Sequence, residues 1–219
     1  KEDRIANINT VFNLTNKEIK IDSANYSEGK NLISLSKFKI NKKNQIKEFK
    51  DIKVKTFKDG KENNNFHVLF GKKINIKGRS YDSANLIKSI NKKGQGNFFK
   101  GISKEIRISF ENIFTKFSTP LDNFNLIGKI EKGKFTKISS KSEFSENQYL
   151  DISLKKDPNS NKKILEIYSG LAKPLLADFN FFKGIEGGQL LFTSVFDNKN
   201  SSSNLQIKDF KVLNAPAFA

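Results

Sequence analysis

A mainly β fold built on antiparallel strands is what this sequence predicts, and three observations predict it. Apolar residues recur at every second position along most of the chain. Short clusters of Gly, Asn, Asp and Ser separate these runs. Helical spacing is confined to two or three short stretches.

The strands are legible in order. "KEIKIDS" (17–23) and "DIKVKTF" (51–57) alternate apolar with charged residues. "NFHVLFGKKINIKG" (65–78) places Phe66, Val68, Phe70, Ile74 and Ile76 on one face, with Asn65, His67, Lys73, Asn75 and Lys77 on the other. "KEIRISFENIF" (104–114) sets Ile106, Ile108, Phe110 and Phe114 against Arg107, Ser109 and Glu111. "NFNLIGKI", "YLDISLK", "KILEIYS", "GGQLLFTSVF" and "SNLQIKDFKVL" repeat the pattern. One apolar and one wet face is the signature of half-buried antiparallel strands. The turns between them read as "DG" (59–60), "EKGK" (131–134), "DPNSN" (157–161) and "DNKNSSS" (197–203).

Helices are expected at "DSANLIKSIN" (82–91), with Asp82 as cap, and at "GLAKPLLADFNFF" (170–182), where Pro174 falls in a first turn. A third begins at 215–219 and stops with the sequence. That ending, the first residue Lys1 and the absence of Met lead us to expect a piece of a longer protein.

About ten apolar strand faces exceed what three short helices cover. Either the sheet closes on itself as a sandwich or barrel, or something other than protein covers its face. Alternation is satisfied equally by both.

The 219 residues carry 36% hydrophobic residues, 21 Phe and a net charge of +17. The aromatic content argues for an ordered chain. The charge invites a nucleic-acid reading, but among the 40 basic residues only Arg4, Arg79 and Arg107 are arginine. Arginine is the preferred fork for phosphate and base edges. The lysines are also spread evenly, as in the output of an AT-rich genome, so nucleic acid is disfavoured as a partner. A positive surface facing anionic headgroups stays open. The absence of Cys excludes disulfides and thiolate metal sites.

Catalytic constellations are missing from the sequence. His67 is the only histidine, so no histidine metal cluster can form, and its place on a wet strand face reads as an exposed strand residue. "GQGNFFKG" (94–101) lacks the third glycine of a dinucleotide loop and reads as a flexible loop. "DPNSNKKILEIY" begins like a calcium loop, but Lys162 stands where glycine is required and Tyr168 where the bidentate Glu belongs. A hairpin turn is expected there. We expect no enzyme, no catalytic residue, no metal and no cofactor.

The C-terminal third carries a specific arrangement: "ILEIYSGLAKPLLADFNFFKGIEGGQLLFTSVFDN", then "SSSNLQIKDFKVLNAPAFA". A strand, a short helix with "LL", a Gly-Gly pair opening a strand, a polar turn and a strand running into "AP" follow one another. This run resembles the AsmA-like family, in its YhdP-like and TamB-like members from alphaproteobacteria. Residues 164–219 carry the specific match. "INIKGRSYDSANLIKSI" (74–90) resembles a further element of the family, and residues 1–65 match in style alone.

The resemblance implies one domain over 1–219: a periplasmic β domain, elongated and curved, whose antiparallel sheet forms an apolar groove with two or three short helices. It implies a segment of an inner-membrane-anchored protein of Gram-negative bacteria that conducts or binds phospholipids between inner and outer membrane, in outer-membrane biogenesis. The implied partners are phospholipid acyl chains, the remaining segments of the parent chain, and outer- or inner-membrane proteins. Gly187 and Gly188 would permit a tight entry into their strand. Candidate groove-lining residues are Phe66, Val68, Phe70, Ile74, Ile76, Ile106, Ile108, Phe110 and Phe114, with Leu190, Phe192, Phe196, Leu205 and Ile207. The alternative is a closed β-sandwich, a scaffold or binding module that assists outer-membrane protein assembly without transporting lipid.

Overall fold

Short turns force most of the alternating runs to pair with the next run in sequence. The structure, a computed structural model, describes residues 5–84, 98–115, 120–145, 147–176 and 184–213. It contains β1 (Ala6–Leu14), β2 (Glu18–Glu28), β3 (Asn31–Asn41), β4 (Ile46–Glu48), β5 (Asp51–Lys58), β6 (Lys61–Phe70) and β7 (Ile74–Asp82). These are followed by β8 (Lys104–Phe114), β9 (Pro120–Glu131), β10 (Lys134–Ser145), β11 (Gln148–Lys156) and β12 (Lys163–Ser169). The helix α1 (Ala172–Leu176) then precedes β13 (Ile185–Phe196) and β14 (Ser201–Val212).

All the strands belong to one 14-stranded sheet in the order β1-β2-β3-β5-β6-β7-β8-β9-β10-β11-β12-β13-β14, with β4 paired to β3 beside that path. The ends do not meet: β1 and β14 are free edges, so the sheet is curved but unclosed. Every pair is antiparallel except β7 with β8, which run parallel with Ile74 opposite Ile106 and Ile76 opposite Ile108. A parallel pair needs a crossover, and residues 83–103 make it.

The expected helix at 82–91 falls mostly outside the described residues, as does the one at 215–219. Asp82 itself closes β7, and its Oδ1 accepts the Ala84 amide at 3.0 Å. The expected helix at 170–182 is seen as α1; Gly170 and Leu171 precede it without helical structure, and residues 177–182 lie outside the described residues. Pro174 sits inside its first turns, where a missing amide costs nothing.

Strands β1, β3, β4 and β10 go beyond those read from alternation. In β3, Lys37 adopts φ +53°, which breaks the period between Leu35 and Phe38. In β10, the inward positions Ser140 and Ser142 are polar yet buried, so no apolar alternation marks them. The "DPNSN" turn forms as expected: Asp157 accepts the Asn159 amide at 3.0 Å and the Ser160 hydroxyl at 2.6 Å. Gly187 and Gly188 lie within β13 at φ +69° and +85°; Gly187 pairs with Phe210, and between this pair and Gln189–Lys208 fall Gly188 and, on β14, Asp209 at φ +55°. A side chain at Gly188 would also meet Phe210 Cβ at 3.0 Å, so glycine is required twice over there.

Candidate functional site

Pairing register gathers the inward residues of neighbouring strands into rows across the sheet. The central row runs without a break from edge to edge: Thr10, Ala24, Leu35, Ile52, Val68, Ile76, Ile108, Leu126, Ser140, Ile152, Ile167, Phe192 and Leu205 are each opposite the next. A second row includes Phe70, Ile74, Ile106, Gly128, Ile138, Leu154 and Leu165. A third includes Ile8, Tyr26, Ile33, Val54, Phe66, Gly78, Phe110 and Phe124 near β1, and Leu150, Ser169, Leu190 and Ile207 near β14. Most members of these rows are apolar, with Thr10, Ser140 and Ser169 as polar members.

The middle of that face is closed by protein. Phe38, Ile46, Phe49, Ile74, Ile102, Ile106 and Leu126 form one buried cluster. Strands β3 and β9, five steps apart on the path, would be about 24 Å apart in a flat sheet. Curvature and a strap reduce that gap. The strap is β4 with Phe49, laid against residues 98–102. The Ile46 amide donates to the Phe98 carbonyl at 2.9 Å, and the Gly133 amide donates to the Ile102 carbonyl at 2.9 Å. Gly101 passes so close that a Cβ would lie 2.3 Å from the Ile46 carbonyl oxygen. Phe38 stacks with Phe49 at 5.9 Å and with Phe98 at 6.4 Å, and Phe49 meets Phe70 at 4.6 Å. Residues 98–101, expected as part of a flexible loop, are thus packed; residues 94–97 lie outside the described residues.

A second cluster, Phe110, Ile113, Leu121, Phe144 and Leu150, is joined by Leu171 and Leu175 beside and within α1. A third unites Ala172 and Leu176 of α1 with Leu190, and Phe192 and Ile207 pack against it. Burial of each large side chain here contributes about 1.5–3 kcal/mol.

The candidate lining residues distribute unevenly over this face. Ile74, Ile106, Phe110 and Leu190 are buried within the clusters. Phe66, Val68, Phe70, Ile76, Ile108, Phe192 and Ile207 are half-buried against them. Phe196, half-buried, and Leu205, exposed, join no cluster. Phe114 does not share the face of its set: Ile113 beside it is buried next to Phe110, and Phe114 is exposed. The paired strand β9 carries Asn123 at φ +53° opposite this point, and there the two-residue period slips in both strands. The strap residues Ile46, Phe49, Phe98 and Ile102 were not read as part of the face, because they belong to no alternating run.

Toward the edges the cover ends. Every residue of β1 is exposed, including Ile8, Phe12 and Leu14 on the apolar face. On β14, Leu205 is exposed and Ile207 half-buried.

The other face is wet and carries ion pairs: Lys73 with Glu105 at 2.5 Å, Lys129 with Glu131 at 2.6 Å and Lys155 with Glu166 at 2.9 Å. Hydrogen bonds from Lys73 and then its charge hold the Glu105 carboxyl below the usual range, and Lys129 does the same for Glu131. His67 lies on this face; its Nε2 is 3.7 Å from Asp51 Oδ1 and has no hydrogen-bond partner. Among the described residues no group of three His, Asp or Glu side chains converges on a metal position, and no helix is long and apolar enough to cross a membrane. Comparison with known proteins returns no match to a family model, to a curated protein or to a solved structure.

Proposed function

We propose that this chain is a periplasmic segment of an AsmA-like protein, anchored through its parent in the inner membrane of a Gram-negative bacterium. In this reading it binds or conducts phospholipids between the inner and outer membranes and contributes to outer-membrane biogenesis. The observation that supports it is the apolar residues of this face that stay uncovered beyond the closed middle of the sheet, Ile8 and Phe12 on β1 and Leu205 on β14. Acyl chains would cover what the protein leaves open, driven by removal of apolar area from water. Headgroups would stay at the wet rim. No residue is asked to perform chemistry, so the reading is of a carrier and not an enzyme, without a cofactor. Its partners are phospholipid acyl chains, further segments of the parent chain, and outer- or inner-membrane proteins.

One observation favours a second reading. The strap closes the middle of the apolar face with protein, and a scaffold that assists outer-membrane protein assembly needs only such a core. Extraction and mass spectrometry of lipid from the chain, purified from bacterial cells without detergent, separates the two. The carrier reading expects phospholipid at near-stoichiometric amounts, lost on replacing both Phe192 and Phe196 by Asp. A stably folded, lipid-free chain replaces it with the scaffold.

A further inference from the structure

The wet face holds a cavity of about 580 Å³ between β1 and β7. Register places Asn7 and Asn9 of β1 and Asn25 of β2 along one side. The opposite side is cationic: Lys53 and Lys55 of β5, then Lys77 and Arg79 of β7, with His67 of β6 between them. No acidic side chain lines the cavity.

This placement is unfavourable for an empty surface. Lys53 is directly opposite His67, and His67 is directly opposite Lys77. Like charges gathered on neighbouring strands destabilise a sheet; elsewhere Lys20 opposite Lys39 is relieved by Glu18 and Glu48, and Lys129 opposite Lys137 by Glu131. Lys55 is relieved by Glu62 at 3.7 Å. Among the described residues Lys53, Lys77 and Arg79 have no hydrogen-bond or ion-pair partner. Arg79 is also the extra residue where the β6–β7 register slips between Asn65 and Phe66, and such a bulge re-aims a side chain. His67 lines the cavity, and its Nε2 is out of solvent without a hydrogen bond, 3.7 Å from Asp51 Oδ1.

We propose that this cavity binds a phosphate group. Three unpartnered cations exceed what a single carboxylate neutralises and suit a dianion with several oxygens. The Arg79 fork matches phosphate geometry, and the two lysines add point charges. The asparagine amides across the cavity both donate and accept, as the hydroxyl or ester oxygens attached to such a phosphate require. The site is on the face opposite the apolar rows, so it stands independently of the lipid reading.

The probe is inorganic pyrophosphate, titrated calorimetrically into the full 219-residue chain at low salt. Wild type is compared with K77Q/R79Q and with K58Q/K61Q, an equal loss of charge at the exposed β5–β6 turn outside the cavity. Far-UV circular dichroism and the denaturation midpoint establish that all three are folded alike. The cavity pair should weaken binding at least about tenfold, against about twofold or less for the turn pair. Equal weakening by both pairs, or no binding by wild type, overturns the site. Sedimentation with phosphatidylglycerol and with phosphatidylcholine vesicles identifies the source. Retention on phosphatidylglycerol alone, displaced by pyrophosphate and lost in K77Q/R79Q, assigns a lipid headgroup. Pyrophosphate binding without vesicle retention assigns a soluble phosphate compound. Vesicle retention that K77Q/R79Q leaves unchanged counts against the cavity.

Discussion

Ile106 and Ile8 are the same residue type on the same face of the same sheet, yet Ile106 is 5% exposed and Ile8 is 77% exposed. The difference lies in what each has above and beside it. Ile106 has strands on both sides, and the strap of β4 and residues 98–102 above. Ile8 has a strand on one side and, among the described residues, no cluster packed above it. Alternation decides which face a residue joins; curvature and the strap decide whether that face is dry. The segment has a buried core in its middle and exposed apolar side chains toward its edges.

The largest effect should come from truncating the same side chain in the two places. Ile106→Ala opens a cavity inside the first cluster and should cost about 2–5 kcal/mol, whereas Ile8→Ala should change stability by less than about 0.5 kcal/mol. Urea denaturation with linear extrapolation measures both. Comparable losses would mean that β1 is covered by something in solution, which would remove the contrast between middle and edge.

The second test sharpens the contrast between the two edges. Residues 5–14 contain no charged side chain, the one strand of the sheet of which this is true, and the chain as a whole is 29% charged. Proteins guard sheet edges with charges, bulges and proline. The β14 edge has such guards in Lys208, Lys211 and the positive-φ Asp209, whereas β1 has no charge. Light scattering should therefore show association of the chain rising with concentration, and Val11→Lys should suppress it without moving the denaturation midpoint. Val11 pairs with Ser23 on the wet face, so the added charge leaves the apolar rows intact. Unchanged association in that variant would place the contact elsewhere.

The same contrast explains how far the sequence could be read. In β6, β7 and β8 the period of two is strict over the stretch that becomes the core, so Val68, Ile76 and Ile108 are found on one face without the structure. The mainly β class and the antiparallel turns follow from such stretches. Where inward positions are polar, as at Ser140 and Ser142, or where a positive φ shifts the phase, as at Lys37 and Asn123, the pattern is lost although the strand remains. Phe114 was placed with Phe110 for that reason. The strap was not legible because Phe49, Phe98 and Ile102 lie outside every alternating run and acquire their role from a contact across the crossover. The parallel pairing of β7 with β8 is likewise set by long-range packing, which no local period encodes. The cationic cavity was hidden differently. Lys53, Lys77 and Arg79 looked like dispersed charge because only the register sets them beside one another.

The smallest effect is electrostatic and separates the middle of the sheet from its turns. Glu105 is held below the usual carboxylate range by hydrogen bonds from Lys73 and by its charge. Asp157 is held there by the Ser160 hydroxyl and the Asn159 amide, and Asp197 by the amides of Lys199 and Asn200. Each folded-state value is depressed, so the unfolded chain binds protons more readily than the folded one. The stabilisation is present above the unfolded carboxylate values near pH ~4 and is lost as pH falls through the folded values. Tm should accordingly stay level from neutral pH to about pH 5 and decline below about pH 4. Added salt should shrink the part of this decline that Glu105→Gln removes, because an exposed ion pair is screened. It should leave the part that Asp157→Asn removes nearly untouched, because Asp157 is bonded mainly to a neutral hydroxyl and an amide. Equal salt sensitivity in the two variants would mean that the diffuse field of +17 charges, and not these local bonds, sets the acid response.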